Sequence, residues 1–262
     1  MNTGIKLVKT GLHGESESPQ FDKSKYQSVI GSVMYAMLGT RPDISFVVSK
    51  LSQFSSDPRE QHWLAMKRLL RYLAKTKNYA LIYQGNYKEE LSQPELVGYS
   101  DADYGNSLDD RMSITGYVFK LNNGAVSWKS KRQSVVATST TEAEYISTSE
   151  AAREAMNWRM FLRELGFHLD SPTIINVDNQ GAIAIAKNPE HHGRTKHIDI
   201  RYHYIRDLVS KHEVHLEYIE TNKMIADVLT KPLARDRHNE LVKQLGININ
   251  QFEITVSTEG KY

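Results

Sequence analysis

Leu96-Val97-Gly98-Tyr99-Ser100-Asp101-Ala102 reads as a β-strand that carries an aspartate at its end. Two more strands follow at Thr115 to Leu121 and Ala125 to Trp128, joined by Asn122-Asn123-Gly124. That tripeptide is a hairpin signal, because asparagine and glycine tolerate the positive φ angles of a tight turn. A long helix is expected from Thr140 to Leu165, stopped by Gly166. A strand at Thr173 to Val177, helices at Gln180 to Ala186 and Lys196 to Ser210, and a strand at Val214 to Ile219 come next, with helices near Ile225 to Thr230 and Arg235 to Leu245. Three meandering strands followed by alternating helix and strand predict an α/β domain, a mixed five-stranded sheet flanked by helices.

Upstream the texture differs. From Lys25 to Lys77 the pattern is helical, broken at Arg41-Pro42-Asp43, and Asp57-Pro58 opens another helix with proline in its first turn. In that helix Trp63, Met66, Leu70 and Leu73 form an apolar stripe flanked by Arg68, Arg71 and Lys75. Its basic face fits a solvated surface as well as it fits nucleic-acid contact. A short strand, Tyr79 to Tyr83, precedes the polar stretch Gln84 to Gln93. The organisation expected is a tail (1–23), a helical segment (24–84), a linker (85–94), the α/β domain (95–246) and a tail (247–262), in which Ile247 to Tyr262 carries no usable pattern.

With 262 residues, 40% of them hydrophobic, the chain can bury a real core. No apolar run approaches the roughly 20 residues that cross a bilayer, and the N-terminus lacks the apolar core of a secretory signal. The expectation is a soluble intracellular protein that works without a membrane. The absence of cysteine excludes disulfides, zinc ribbons and thiol nucleophiles, so a bound metal would rest on oxygen or imidazole, which favours magnesium or manganese. A net charge of +2 says little about partners. Local clusters say more: Lys67, Arg68, Arg71, Lys75 and Lys77, and then Lys129, Lys131 and Arg132 just after the third strand.

Asp101 and Asp178 each end a strand, and α/β sheets place ligands at the carboxyl ends of their strands. Each has a plain alternative, since aspartate favours turns and Asp178 stands where it can cap the next helix. The long helix is more discriminating. Glu142 and Glu144 point roughly 200° apart at 3.6 residues per turn. The stripe Ala151, Ala155, Trp158, Leu162, Leu165, run backwards, meets Thr148 and then Glu144, which therefore faces the sheet. A carboxylate turned to the core is costly unless it is paired or binds metal. Glu142 instead completes a capping box, Ser139-Thr140-Thr141-Glu142. Asp227, in Ala226-Asp227-Val228-Leu229-Thr230-Lys231, follows the last strand, which returns the chain to the same end of the sheet.

These segments together resemble the C-terminal reverse-transcriptase and ribonuclease H region of copia-type retrotransposon Pol polyproteins. The resemblance runs from about Tyr26 to Gly246, through Gly31-Ser32-Val33-Met34-Tyr35, Gly39-Thr40-Arg41-Pro42-Asp43-Ile44, Ser100-Asp101-Ala102-Asp103-Tyr104 and Thr115-Gly116-Tyr117-Val118-Phe119. It continues through Ser127-Trp128-Lys129-Ser130-Lys131-Arg132-Gln133, Thr141-Glu142-Ala143-Glu144-Tyr145, Asp178-Asn179-Gln180-Gly181-Ala182, Arg194-Thr195-Lys196-His197-Ile198-Asp199 and Ala226-Asp227-Val228-Leu229-Thr230-Lys231. It implies a ribonuclease-H-like fold and a catalytic, metal-holding quartet of Asp101, Glu144, Asp178 and Asp227. Two Mg2+ or Mn2+ ions about 4 Å apart would promote hydrolysis of the RNA strand of an RNA-DNA hybrid.

The resemblance also implies that the segment 24–84 is the end of a polymerase, its thumb and connection, and that the upstream palm and fingers of the same polyprotein are partners. No Tyr-x-Asp-Asp hairpin precedes it, so DNA synthesis by this chain alone is not expected. Lys129, Lys131, Arg132, Arg194 and Lys196 are the expected nucleic-acid contacts. The family's cellular relatives often place histidine before the last aspartate, whereas Glu220-Thr221-Asn222-Lys223 has none, which implies slow turnover. His191, His192 and His197 lack a regular ligand spacing and fit a basic loop better than a metal site. A strand-transfer enzyme would order its acids Asp, Asp, Glu, unlike the order here. The alternative from another class is an inactive or domesticated remnant that binds nucleic acid without cutting it.

Overall fold

A computed structural model describes residues 7–9, 19–83, 95–167, 169–187 and 204–249. The helical segment holds α1 (Lys23–Gly39), a 3-10 turn (Pro42–Ile44), α2 (Ser45–Ser52) and α3 (Glu60–Lys75), then the short strand β1 (Tyr79–Leu81). The α/β part holds β2 (Leu96–Asp103), β3 (Ile114–Leu121), β4 (Gly124–Arg132), α4 (Thr140–Glu164), β5 (Thr173–Val177) and α5 (Gln180–Lys187). It continues with α6 (residues 204–210), β6 (Val214–Tyr218), α7 (Asp227–Thr230), α8 (Arg235–Gln244) and β7 (Ile247–Ile249).

The strands of the main sheet lie in the order β4-β3-β2-β5-β6. The β4-β3-β2 meander is antiparallel, whereas β5 and β6 add in parallel beyond β2. This is the mixed five-stranded sheet, flanked by helices, expected of a ribonuclease-H-like domain. The pleat sends alternate residues of β3 to opposite faces. Phe119 joins Tyr145, Ala151, Ala155 and Ile175 in the core on the α4 side, while Val118 joins Val228, Leu229, Leu241 and Leu245 on the α7–α8 side. Burial on both faces explains why β3 reads as nearly continuous apolar sequence rather than alternating.

The helical segment has its own core around Tyr26, Ile30, Val48, Leu51, Trp63 and Met66. It docks on the α/β part through several polar contacts. The Trp128 indole N–H donates to the Met37 carbonyl at 3.1 Å, the Tyr83 hydroxyl donates to the Ala125 carbonyl at 2.8 Å, and Tyr72 meets His238 edge to face.

Several expectations need correction. The sequence from Ile247 onward carries no usable pattern, yet Ile247–Ile249 is a strand paired antiparallel with β1, and Ile247 is buried. Three residues are too few to show a period, and the pairing partner lies far away in sequence. In α3 the inward stripe is His62, Trp63, Met66 and Leu69, while Leu70 is exposed. Spacings of three and four both fit a helix, and only the packing partner separates Leu69 from Leu70. Pro58 lies before this helix, which starts at Glu60 with Arg59 as its N-cap. Leu165, which the helical spacing puts on the buried stripe, is instead the C-cap that follows α4 and is 57% exposed. Lys129, Lys131 and Arg132 lie inside β4 rather than after it. The polar stretch 84–93, with Arg194, Lys196 and the histidines at 191, 192 and 197, falls outside the described residues.

Candidate metal centre

Asp101 lies within β2 opposite Gly116 of β3, and at 2% exposure it is no turn residue. Glu144 sits in the second turn of α4 at 7% exposure. Asp178 immediately follows β5 and is half-buried. One carboxylate oxygen from each of these three residues lies within 4.8 Å of the others. The capping alternative for Asp178 is met by its neighbour, since the Asn179 side chain accepts from the Ala182 N–H at 2.9 Å. Glu142 takes the structural role expected of it, with one change of partner. Its N–H donates to the Ser139 hydroxyl at 3.1 Å, but its carboxylate accepts from the Thr138 N–H at 2.8 Å, one residue beyond the usual box.

Side chains around the triad fix its shape. The Ser147 hydroxyl donates to the Asp101 carbonyl at 2.7 Å and accepts from the Ser100 hydroxyl at 3.0 Å, pinning α4 to β2 one turn beyond Glu144. Ala102 N–H donates to Glu144 Oε1 at 3.2 Å. The other oxygen, Oε2, is buried with no hydrogen-bond partner among the described residues. A buried, unsatisfied acceptor is costly, and a cation is the partner that would relieve it.

Gly116 lets α7 press onto β3. A Cβ there would stand 2.4 Å from Thr230 Cγ2 and 3.0 Å from Leu229 Cβ. This close approach brings the Thr230 hydroxyl into a hydrogen bond with Asp101 and carries Asp227 to the edge of the cluster. Asp227 is 6% exposed, stands outside the triad, and has Lys231 Nζ 2.8 Å from its Oδ1. The same ammonium is 3.7 Å from Asp101 Oδ2.

Burial and mutual repulsion raise the affinity of these acids for protons. Burial, with Asp227 and Asp178 adding to it against Lys231 and Thr230, pushes Asp101 up to about 7. Burial followed by the charges of Asp101 and Asp178 pushes Glu144 up to about 10. Burial also raises Asp227, partly offset by Lys231. Lys231 itself is raised because the surrounding carboxylates outweigh its own burial. Such a cluster binds either protons or metal.

Two of the candidate nucleic-acid residues are half-buried and already engaged in ion pairs. Lys129 pairs with Glu150 at 2.8 Å and Arg132 pairs with Asp110, while Lys131 is exposed. Sequence reasoning assigned no role to Lys231, Thr230, Ser147 or Gly116. For Lys231 a signal existed, because a base four residues after Asp227 on a helix is a natural ion-pair partner.

No family model matches the chain. The retrovirus-related Pol polyprotein from transposon TNT 1-94 of Nicotiana tabacum is 44% identical over 229 residues, covering 87% of this chain and 17% of that polyprotein. The corresponding polyprotein from transposon RE2 of Arabidopsis thaliana is 38% identical over 247 residues, covering 94% of this chain and 16% of its own. Among solved structures, LC11-RNase H1 in complex with an RNA/DNA hybrid aligns with a TM-score of 0.40 at 14% identity, over 52% of this chain and 93% of that one. The fold rests on strand order and register rather than on that slight likeness. The chain spans about one sixth of the length of the relatives it matches. The homologues of this chain over most of its length are retrovirus-related Pol polyproteins, and the segment that aligns with them contains a ribonuclease-H-like domain.

Proposed function

We propose that this chain hydrolyses the RNA strand of RNA-DNA hybrids in a metal-dependent reaction, as the ribonuclease H part of a retrotransposon Pol polyprotein. One observation carries the reading: three carboxylates from separate elements converge within 4.8 Å, and Glu144 presents a buried oxygen with no partner. An all-carboxylate donor set suits a hard cation, Mg2+ or Mn2+. Asp101, Glu144 and Asp178 would hold it, with Asp227 at the edge. The bound ion would supply Lewis-acid stabilisation of charge developing on the phosphodiester.

The protein's own groups supply the rest. Asp178, the most open of the three, joins the cluster to solvent, from which both the attacked phosphate and the nucleophilic water arrive. Carboxylate oxygens accept hydrogen bonds from that water and orient it. Water adds to phosphorus as the bond to the 3′ oxygen breaks, and the proton it loses is matched by the one the 3′ oxygen gains. Selectivity for hybrid would come from the 2′-hydroxyl and A-like backbone shape rather than base reading. Lys131 is the exposed basic side chain of β4 for phosphate contact, with Arg194 and Lys196 the further candidates. Polymerase palm and fingers upstream in the polyprotein would deliver the hybrid.

The test is cleavage of an end-labelled hybrid by the chain, titrated with Mg2+, beside single-stranded RNA and duplex DNA of the same sequence. Cutting confined to the RNA of the hybrid and abolished by EDTA is expected. Hybrid binding without cutting at any Mg2+ or Mn2+ concentration would instead favour the inactive, nucleic-acid-binding alternative.

A further inference from the structure

The run Gly39-Thr40-Arg41-Pro42-Asp43-Ile44 belongs to the helical segment and takes no part in the carboxylate cluster. Its charged side chains are nevertheless buried: Arg41 is 7% exposed and the Asp43 carboxylate not at all. Arg41 grips Asp43 as a fork, Nε donating to Oδ1 at 2.9 Å and Nη2 to Oδ2 at 2.7 Å. The Tyr72 hydroxyl donates to the same Oδ2 at 2.6 Å, and Arg41 Nη2 also donates to the Thr76 hydroxyl at 2.8 Å. The 3-10 turn Pro42–Ile44 is thereby tied to the last turn of α3 and to Thr76, the residue that caps it.

That turn and α2 pack directly on α7, which β2 and β3 contact as well. His238 of the neighbouring α8 brings Nε2 within 3.4 Å of the Asp43 carbonyl. Four residues are too few for a helix to hold its own position, so α7 stands where its neighbours put it. We propose that Arg41, Asp43 and Tyr72 are positioning residues for Asp227, fixing through the Pro42–Ile44 turn the place from which α7 presents that carboxylate. The consequence for catalysis rests on the function proposed above, whereas the consequence for α7 does not. A buried ion pair is a poor source of stability, since apolar residues of similar volume commonly serve as well or better. What a guanidinium fork supplies instead is a single geometry for the turn. Misplacing a catalytic group by about 1 Å can slow a reaction roughly a hundredfold. The helical segment thus shapes the ribonuclease site from outside the α/β domain.

The test uses the full chain as wild type, as the apolar pair Arg41→Met/Asp43→Leu, and as Tyr72→Phe, which keeps the ring and removes only the hydroxyl. Amide hydrogen exchange is followed at Val228, Leu229 and Lys231, with Val118 and Phe119 of β3 as the internal reference. In the apolar pair, exchange over α7 should be about tenfold faster with β3 unchanged, and Tyr72→Phe should move the same way by about threefold. Per folded molecule, as judged by thermal unfolding, kcat for hybrid cleavage should fall about tenfold in the apolar pair with KM unchanged. An ion pair that merely stabilises the helical segment predicts otherwise. Once apolar residues restore stability, α7 exchange and kcat would both match the wild type, and that result overturns the proposal. Faster α7 exchange with an unaltered kcat overturns it too. If the wild type cleaves no hybrid, the proposed function falls, and the exchange comparison alone decides whether the fork positions α7. If the apolar pair fails to fold, Tyr72→Phe carries the test, and exchange over α7 equal to the wild type refutes the idea.

Discussion

Replacing Glu144 by glutamine should stabilise the metal-free protein at neutral pH while removing its metal affinity. The side chain is 7% exposed and its carboxyl is pushed up to about 10, so in the folded, ion-free state it stays protonated at pH 7. In the unfolded chain the same group ionises near its usual value of 4.5. A carboxyl whose folded value is raised favours folding below the unfolded value, and that contribution is lost as pH rises toward the folded one. At 1.36 kcal/mol per pH unit, holding the proton from the usual value up to pH 7 costs about 3 kcal/mol. Glutamine is neutral in both states, so the cost disappears. Its carbonyl can keep the bond from Ala102 N–H, and its amide donors can face Asp101 and Asp178. For a chain of this size the gain corresponds to roughly 6–12 °C in Tm. Thermal unfolding of the wild type and Glu144→Gln in EDTA at pH 7 and pH 4.5 measures it, with the gain present at the first pH and nearly absent at the second. Equal or lower stability of the variant at pH 7 would refute the picture of a buried proton holder waiting for metal.

Other changes separate the site from its supports. Glu142→Ala should cost about 1 kcal/mol through loss of the cap, with cleavage of hybrid retained, whereas Glu144→Ala should abolish cleavage; equal losses in both would sink the helical-face assignment. Gly116→Ala should lower stability by about 1–3 kcal/mol and weaken Mn2+ binding, since its Cβ would drive into Thr230 and Leu229 of the element carrying Asp227; unchanged calorimetry would contradict this. Far from the acids, Arg159 is 3% exposed and joins Glu213, Thr173 and the carbonyls of Leu169 and Ser171, so Arg159→Met should cost about 3–5 kcal/mol in chemical denaturation without altering Mn2+ affinity. Truncation after Gly246 should destabilise the chain, because it removes the strand pairing with β1 and the buried Ile247; unchanged Tm would show that this short sheet contributes nothing.

Much of this architecture is legible in the sequence because its signals are local. Asn122-Asn123-Gly124 makes the hairpin, and both asparagines adopt the positive φ that the turn demands. Glu144 is legible through helical phase, since α4 is long enough for a stripe to define its inner face. The strand at Ile247–Ile249 is not legible, because its stability comes from a partner more than 160 residues away in sequence. Lys129 and Arg132 look like free basic residues on paper, but their charges are engaged by Glu150 and Asp110, contacts that only the folded register of β4 creates. Lys231 lies in plain sight beside Asp227, yet its approach to Asp101 depends on α7 pressing against Gly116, a tertiary fact with no local signature.

Anomalous diffraction from crystals of this chain soaked in Mn2+ addresses the site most directly. A manganese peak bound by oxygens of Asp101, Glu144 and Asp178, including the Glu144 oxygen that now lacks a partner, is the predicted result. Manganese bound elsewhere, or a Glu144 carboxylate more than about 10 Å from the other two acids and so too distant for a shared ion, would contradict it.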